Sequence, residues 1–232
     1  MANNSQPKIV LEANAISKTF NHESVITDFS FRMFQGERLL LFAPSGAGKT
    51  TLLRILSGLL TADSGTYAYP SGSEPHIVFQ EPRLFPYLTV DENIRLPLKS
   101  PHFSSKPNAM DNLPDWYKLV DLDSYKNDYP HTLSGGMKRK VSLLRALITL
   151  PELLILDEPF QSLDKKSREI FVHSIFSSIP NLSVLFTSHD ILDAEIIATS
   201  ILLIKSPKLQ NPIIISASEF VNSFTNSILH VN

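Results

Sequence analysis

The chain has 232 residues, 43% of them hydrophobic, with 21 basic and 23 acidic side chains and no cysteine. That length and apolar content suffice for one large domain with a buried core, which excludes a disordered chain. Near balance of charge excludes a whole-molecule field for nucleic acid or anionic lipid, so any polyanion site is local and no nucleic-acid partner is expected.

Without cysteine there are no disulfides, thiolate metal sites or cysteine nucleophiles, a usage compatible with the cytosol. The opening "MANNSQPKIVLEANAI" lacks the basic segment and the apolar run of roughly 7 to 15 residues that mark a secretory signal. No stretch approaches the roughly 18 to 20 apolar residues of a membrane helix. A role at a membrane therefore requires another chain as anchor.

In chain order, "KIVLEANAI" (8–16) and "VITDFSFRMF" (25–34) predict strands. In the second, Phe29, Phe31 and Met33 alternate with Asp28, Ser30 and Arg32, the pattern of a sheet with one wet face. "ERLLLF" (37–42) is a continuous apolar run, which suits a parallel strand buried on both faces. It leads into "APSGAGKTT" (43–51), and a helix is predicted from near Lys49.

A strand, a tight loop and a helix N-terminus in that order aim several backbone N–H groups at one point, where an anion fits. The loop is one residue from the phosphate-binding pattern GxxxxGK[ST], with Ala43 in place of the first glycine. Alanine is tolerated there if its φ is negative, because no Cβ clash then arises. Pro44, Ser45, Gly46, Ala47, Gly48, Lys49, Thr50 and Thr51 are the candidate nucleotide-binding residues. Gly46 and Gly48 let the backbone approach phosphate oxygens, Lys49 reaches the terminal phosphates, and the Thr50 hydroxyl is the expected Mg²⁺ ligand in preference to Thr51.

From about 92 to 131 the pattern changes. Pro97, Pro101, Pro107 and Pro114 chop the chain around one short helical stretch, "DWYKLVDL", which predicts a small helical subdomain inserted in the core. "YPHTLSGGMKRKVSLLRAL" (129–147) follows. Ser134 with the N–H groups of Gly135 and Gly136 at a helix start makes a second anion site, or simply a capped helix with Lys138, Arg139 and Lys140 as its solvated face. Met137, Val141, Leu144 and Ile148 form the apolar stripe of that helix.

"LLILDEP" (153–159) ends a buried strand in two acids at the carboxyl edge of the sheet, where open α/β folds bind ligands. Asp157 suits a metal shell and Glu158 a general base for water, the alternative being a solvated acid pair in a turn. Beyond them Phe171, Ile175 and Ile179 predict a helix, "SVLF" (183–186) and "ILLI" (201–204) two more buried strands, and "SASEFVNSFTNSIL" a closing amphipathic helix. Alternating strands and helices define a doubly wound sheet.

"LSGG" opening a basic helix upstream of "LLILDEP" resembles the signature motif of ATP-binding cassette ATPases. Gln80 in "VFQEP", "SLD" at 162–164, His189 in "TSHD" and Phe20 in "SKTF" resemble that family's glutamine loop, the loop after the second acid, the switch histidine and the adenine-stacking aromatic. The resemblance covers nearly the whole chain. It implies a single ATPase domain over residues 1–232, an α/β fold with a P-loop NTPase core around a parallel sheet, an N-terminal antiparallel β subdomain and the helical insertion at 92–131.

It also implies ATP and Mg²⁺ as ligands. Two copies face head to tail, so that Lys49, Thr50, Gln80, Asp157, Glu158 and His189 act in cis, with Thr50, Gln80 and Asp157 around the metal. Ser134, Gly135 and Gly136 reach the partner's γ-phosphate, and Asp164 lines the dimer seam. "QEPRLFPYLTVDENI", "YPHTLSGGM" and "LDEPFQSLD" resemble the importers of nitrate, sulfonate and taurine, although "SGTYAYPSGSEPHIVFQ" is shorter than the family's usual antiparallel segment. This implies a separate membrane permease, a solute-binding protein and a peripheral location on the cytoplasmic face of the inner membrane. The same catalytic set serves an exporter or lipoprotein-release ATPase. A soluble, non-transport ATPase fits less well, because such relatives carry tandem cassettes or long coiled coils.

Overall fold

The computed structural model describes residues 7–70, 72, 75–100, 113–179 and 181–229, with side chains in the last helix described to Ser223. The prolines at 101 and 107 that punctuate the predicted insertion, and residues 1–6 of the opening segment, lie outside the described residues.

β1 (Ile9–Phe20) and β2 (Glu23–Phe34) form an antiparallel hairpin in which Ala13 faces Phe31 and Ile16 faces Phe29. Asn21 and His22 close it with φ of 48° and 67°, the left-handed pair that matches strand twist in a two-residue turn. Phe29, Phe31 and Met33 are buried and their alternating neighbours Asp28, Ser30 and Arg32 exposed, as the period-two pattern predicts. β4 (Ser64–Ala68) pairs on the other edge of β1, giving a sheet in the order β2-β1-β4.

The second sheet contains β3 (Arg38–Phe42), β5 (His76–Val78), β6 (Leu153–Leu156), β7 (Ser183–Thr187), β8 (Ser200–Leu203) and β9 (Ile213–Ser216), in the order β5-β6-β7-β3-β8-β9. β5, β6, β7, β3 and β8 run parallel, and β9 is an antiparallel edge. The continuous apolar runs have the predicted cause, because alternate residues enter different cores. Leu39, Leu41, Leu153 and Ile155 pack beneath α1 (Lys49–Leu56) and the first sheet, whereas Leu40, Leu154 and Leu156 pack with α4 (Gly135–Leu147).

Between β5 and α4 lie α2 (Val90–Arg95) and α3 (Leu113–Leu119). A reciprocal capping box between Thr89 and Glu92 starts α2. Tyr117 of α3 is fully buried and donates to Asp91 of α2 at 2.9 Å, and burial pushes its phenol pKa up. α5 (Lys165–Ile170), α6 (Ile191–Ile196) and α7 (Ala217–Leu229) complete the fold.

The helix predicted from Phe171, Ile175 and Ile179 differs in pitch. After α5 the chain takes a wide π turn over Phe171–Ile175 and a tight 3₁₀ turn over Phe176–Ser178, and Ile179 is already extended. The wide turn places Phe171, Val172, Ile175 and Phe176 in the core together, a broader apolar face than one regular stripe provides.

Candidate active site

Because the strands are parallel, the segments following β3, β5, β6 and β7 emerge on one edge of the sheet, and every cis candidate except Phe20 lies there. β3 ends at Phe42, residues 43–48 form the loop, and α1 begins at Lys49. Gly48 is the helix cap, with φ of 98°, and a Cβ there would lie 2.5 Å from Cγ1 of Val25. No side chain caps α1, among the described residues, whereas Ser134, Asp164 and Asp190 cap α4, α5 and α6. The first-turn N–H groups of α1 are left for an external acceptor.

Lys49 Nζ donates to the carbonyls of Ala43 at 2.9 Å and Pro44 at 3.0 Å, curling the loop around its own ammonium. Burial lowers the Lys49 pKa, while the charges of Glu158 and Asp157 act to raise it. Ala43 is not among the residues with positive φ, and its side chain joins the core together with Ala47. The missing first glycine therefore costs the loop no strain. A cleft of about 260 Å³ is walled by Ser45, Gly46, Gly48, Lys49, Thr50 and Thr51 on one side and by Glu158 and His189 on the other.

Asp157 is 6% exposed. Its Oδ2 accepts from Thr50 Oγ1 at 2.8 Å and its Oδ1 from Thr187 Oγ1 at 2.8 Å. Thr50 and Asp157 thus present hard oxygens to one point. Among the described residues there is no cluster of three or more His, Asp or Glu that could hold a metal alone. Two protein oxygens fit Mg²⁺, which keeps several waters and takes its other ligands from phosphate.

Glu158 has φ of 46°, its N–H donates to Thr187 Oγ1 at 3.0 Å, and its carbonyl accepts from Arg139 at 2.9 Å. Two partners converge on its carboxylate, with His189 Nε2 at 2.7 Å from Oε1 and Gln80 Nε2 donating to Oε2 at 3.4 Å. Gln80, also expected at the metal, has its side-chain hydrogen bond to Glu158 rather than to the Thr50–Asp157 pair.

Ser134 and Gly135 are exposed and do not line this cleft. Ser134 Oγ accepts from the Met137 N–H at 3.2 Å, and a Cβ on Gly136 would sit 3.0 Å from the Ser162 carbonyl. The loop at 162–164 therefore packs on the start of α4. Asp164 accepts from the Ser167 N–H at 2.7 Å, and that bond holds its carboxyl below the usual range. Phe20, at the end of β1, is 43% exposed with Lys18 Nζ 5.5 Å from its ring centroid, so it lies outside the core.

Two residues of the site escape sequence reasoning. Thr187 is a polar end to an apolar strand, a weak signal by itself. Arg139 stands in "KRK", which reads as a solvated face, yet it is 3% exposed and donates to three backbone carbonyls. Helical periodicity sets it on the side of α4 facing the sheet edge, but nothing local distinguishes it from Lys138.

A phosphate loop opposite a paired acid defines a nucleotide-binding α/β domain. The family model described as ABC transporter matches residues 26–161, more than half of the chain, and the chain belongs to that family. The sulfate/thiosulfate import ATP-binding protein CysA of Nitrosomonas europaea is 34% identical over 217 residues, covering 87% of this chain and 60% of that protein. The aliphatic sulfonates import ATP-binding protein SsuB of Bacillus cereus is 33% identical over 214 residues, covering 85% and 82%. SsuB 1 of Shouchella clausii is 32% identical, covering 97% and 94%. The chain spans about 60% of the length of the CysA relatives it matches. The fold is that of a solved ATP binding subunit of an ABC transporter, at TM-score 0.78 and 22% identity over 93% of both chains. It is also that of cbiO1 from Clostridium perfringens, part of the transporter complex cbiONQ, at TM-score 0.74 and 21% identity, covering 97% and 95%.

Proposed function

We propose that this chain is the ATP-hydrolysing subunit of an ABC importer, working as a head-to-tail pair beneath a membrane permease. The observation that carries the reading is the convergence of Gln80 and His189 on the Glu158 carboxylate across the cleft from Lys49. In it, ATP phosphates take the N–H groups of residues 46–50, and Lys49 turns from the loop carbonyls to the terminal phosphates. Thr50 and Asp157 hold Mg²⁺, which supplies neutralisation of charge on the phosphate oxygens when bound. Glu158 accepts the proton of the attacking water, and His189 and Gln80 fix its carboxylate for that role. Phe20 stacks on adenine, a role its exposure permits.

The trans half of the proposal is supported by the exposure of Ser134 and Gly135 outside the chain's own cleft. A second copy brings these groups to the γ-phosphate, with Asp164 at the seam. Dimer closure then assembles two sites, and hydrolysis removes the phosphate that bridges them.

Contact with a permease is assigned to the loop after Gln80. Phe85 is 51% exposed and Tyr87 90% exposed, on a loop whose backbone is tightly held. Fully buried Asn93 accepts from the Phe85 N–H and donates to the carbonyls of Phe85, Leu88 and Thr89, and Arg145 holds the carbonyls of Pro82 and Arg83. A rigid loop presenting aromatic rings suits a partner helix. Among the described residues no helix is long and apolar enough to cross a membrane, which agrees with a peripheral subunit at the cytoplasmic face of the inner membrane. The solute we propose is a small one such as sulfonate, taurine or nitrate, delivered by a solute-binding protein, a reading supported by relatives named for the import of aliphatic sulfonates.

A cysteine introduced at Tyr87, in a chain with none of its own, tests the assignment. Crosslinking to a copurifying permease that changes with ATP is the expected result. Full ATPase activity with no membrane partner and no crosslink contradicts the importer.

A further inference from the structure

We infer that Arg139 is a positioning residue for hydrolysis, a clamp that fixes the backbone of Gln80 and Glu158 to the helix beginning at Ser134. The inference rests on the proposed ATPase function and extends it to a residue outside the cleft.

The guanidinium is almost fully buried, and its three hydrogen bonds run from Nη1 to the Phe79 carbonyl at 2.6 Å and from Nη2 to the carbonyls of Gln80 at 2.7 Å and Glu158 at 2.9 Å. None goes to a carboxylate, among the described residues. A buried cation is costly, and neutral carbonyls offset that cost only in part. Burial lowers the Arg139 pKa, and the charges of nearby Asp157 and Glu158 act against that shift. A planar fork with fixed donors can hold two separate strand ends at a set distance, which a single flexible ammonium cannot.

The place that is held is strained. Glu158 occupies the left-handed region at φ 46°, unusual for a side chain that is not glycine, and persists there because both faces of its backbone are tied. Thr187 takes its N–H and Arg139 its carbonyl. Freed at the carbonyl, the residue can relax towards an ordinary backbone conformation. The Cα–Cβ bond then swings, and the carboxylate leaves His189 and Gln80. Arg139 also lies less than one helical turn beyond Gly136. Displacement of the exposed helix start by a partner is therefore delivered through a rigid element to the Glu158 backbone.

The test measures steady-state hydrolysis, ATP affinity and melting temperature for Arg139→Gln and Arg139→Lys, each in the parent and in the Glu158→Gln background. The expected result in the parent is a turnover lower by ~10- to 10²-fold with KM for ATP within about twofold, the scale of a misplaced catalytic group. In the Glu158→Gln background the same substitutions add no further loss, because the carboxylate they misplace is gone. A residue that only packs the core lowers ATP affinity and melting temperature together and costs the same factor in both backgrounds, which overturns the clamp. So does a turnover within twofold of the parent. If Arg139→Gln does not fold, Arg139→Lys, which keeps the charge and loses the fork, is read by the same criteria. A parent that hydrolyses no ATP overturns the functional reading and the clamp with it; an active parent with flat Arg139 variants overturns the clamp alone.

Discussion

His189 Nε2 stands 2.7 Å from Glu158 Oε1, although the two residues follow different strands. Glu158 comes after β6 and His189 after β7, and parallel pairing of Leu156 with Phe186 brings both to the same edge. With Gln80 on the other oxygen, the carboxylate is held from two sides. His189→Ala is predicted to lower turnover by roughly 10²-fold while leaving ATP affinity unchanged, the scale of a general acid–base contribution. Steady-state hydrolysis beside equilibrium nucleotide binding checks this. An unchanged rate would show that the contact has no catalytic role.

The loop carrying His189 is itself anchored. Buried Arg168 of α5 reaches Asp190 at 2.5 Å, Asp193 at 2.7 Å and the Leu163 carbonyl at 3.1 Å, and Ser188 donates to Asp193 at 2.5 Å. Asp193 is 2% exposed, and burial is the main cause that raises its pKa above the ordinary value. The native state thus binds this proton more tightly than the unfolded chain, so the stabilisation is present at low pH and declines as pH rises through the folded pKa. Arg168→Met removes the charge that opposes this rise. The variant is predicted to lose about 3 to 5 kcal/mol near neutral pH, the cost of stranding a buried carboxylate. Thermal melting should show the deficit shrinking as the pH is lowered. A deficit that does not depend on pH would contradict the assignment to Asp193.

Phe20→Ala is predicted to weaken nucleotide binding by about 1 kcal/mol with little change in melting temperature, since the ring is exposed and its proposed stacking partner is the base. Fluorescent-nucleotide titration measures the first and thermal melting the second. Loss of stability with unchanged affinity would show a packing role instead.

The buried strands were legible because continuous apolar runs have one physical explanation in a chain of this kind, burial on both faces, and β3, β6, β7 and β8 are those runs. The phosphate loop was legible because Gly46, Gly48, Lys49 and Thr50 are tied to one another by local backbone geometry. β4, β5, β9, α2 and α6 were not identified. β5 and β9 are short, and β4, "SGTYA", is too polar and small to carry a period, being fixed by its pairing with β1. Thr187 and Arg139 were missed for a different reason. Their importance lies in contacts with residues 19 to 60 positions away, such as Arg139 to Glu158 and to Phe79 and Thr187 to Asp157, which no local pattern encodes.

In the proposed pair, ATP is enclosed between the phosphate loop of one copy and the Ser134 loop of another, and hydrolysis assisted by Glu158 ends that state. The most direct measurement is sedimentation of Glu158→Gln with and without Mg-ATP, repeated with Ser134→Arg added. The expected result is a monomer without nucleotide, a stable dimer with ATP, and loss of that dimer when the bulky cation occupies the Ser134 loop. A dimer independent of ATP and indifferent to Ser134→Arg, or a Ser134→Arg protein that hydrolyses ATP at the parent rate, would contradict it.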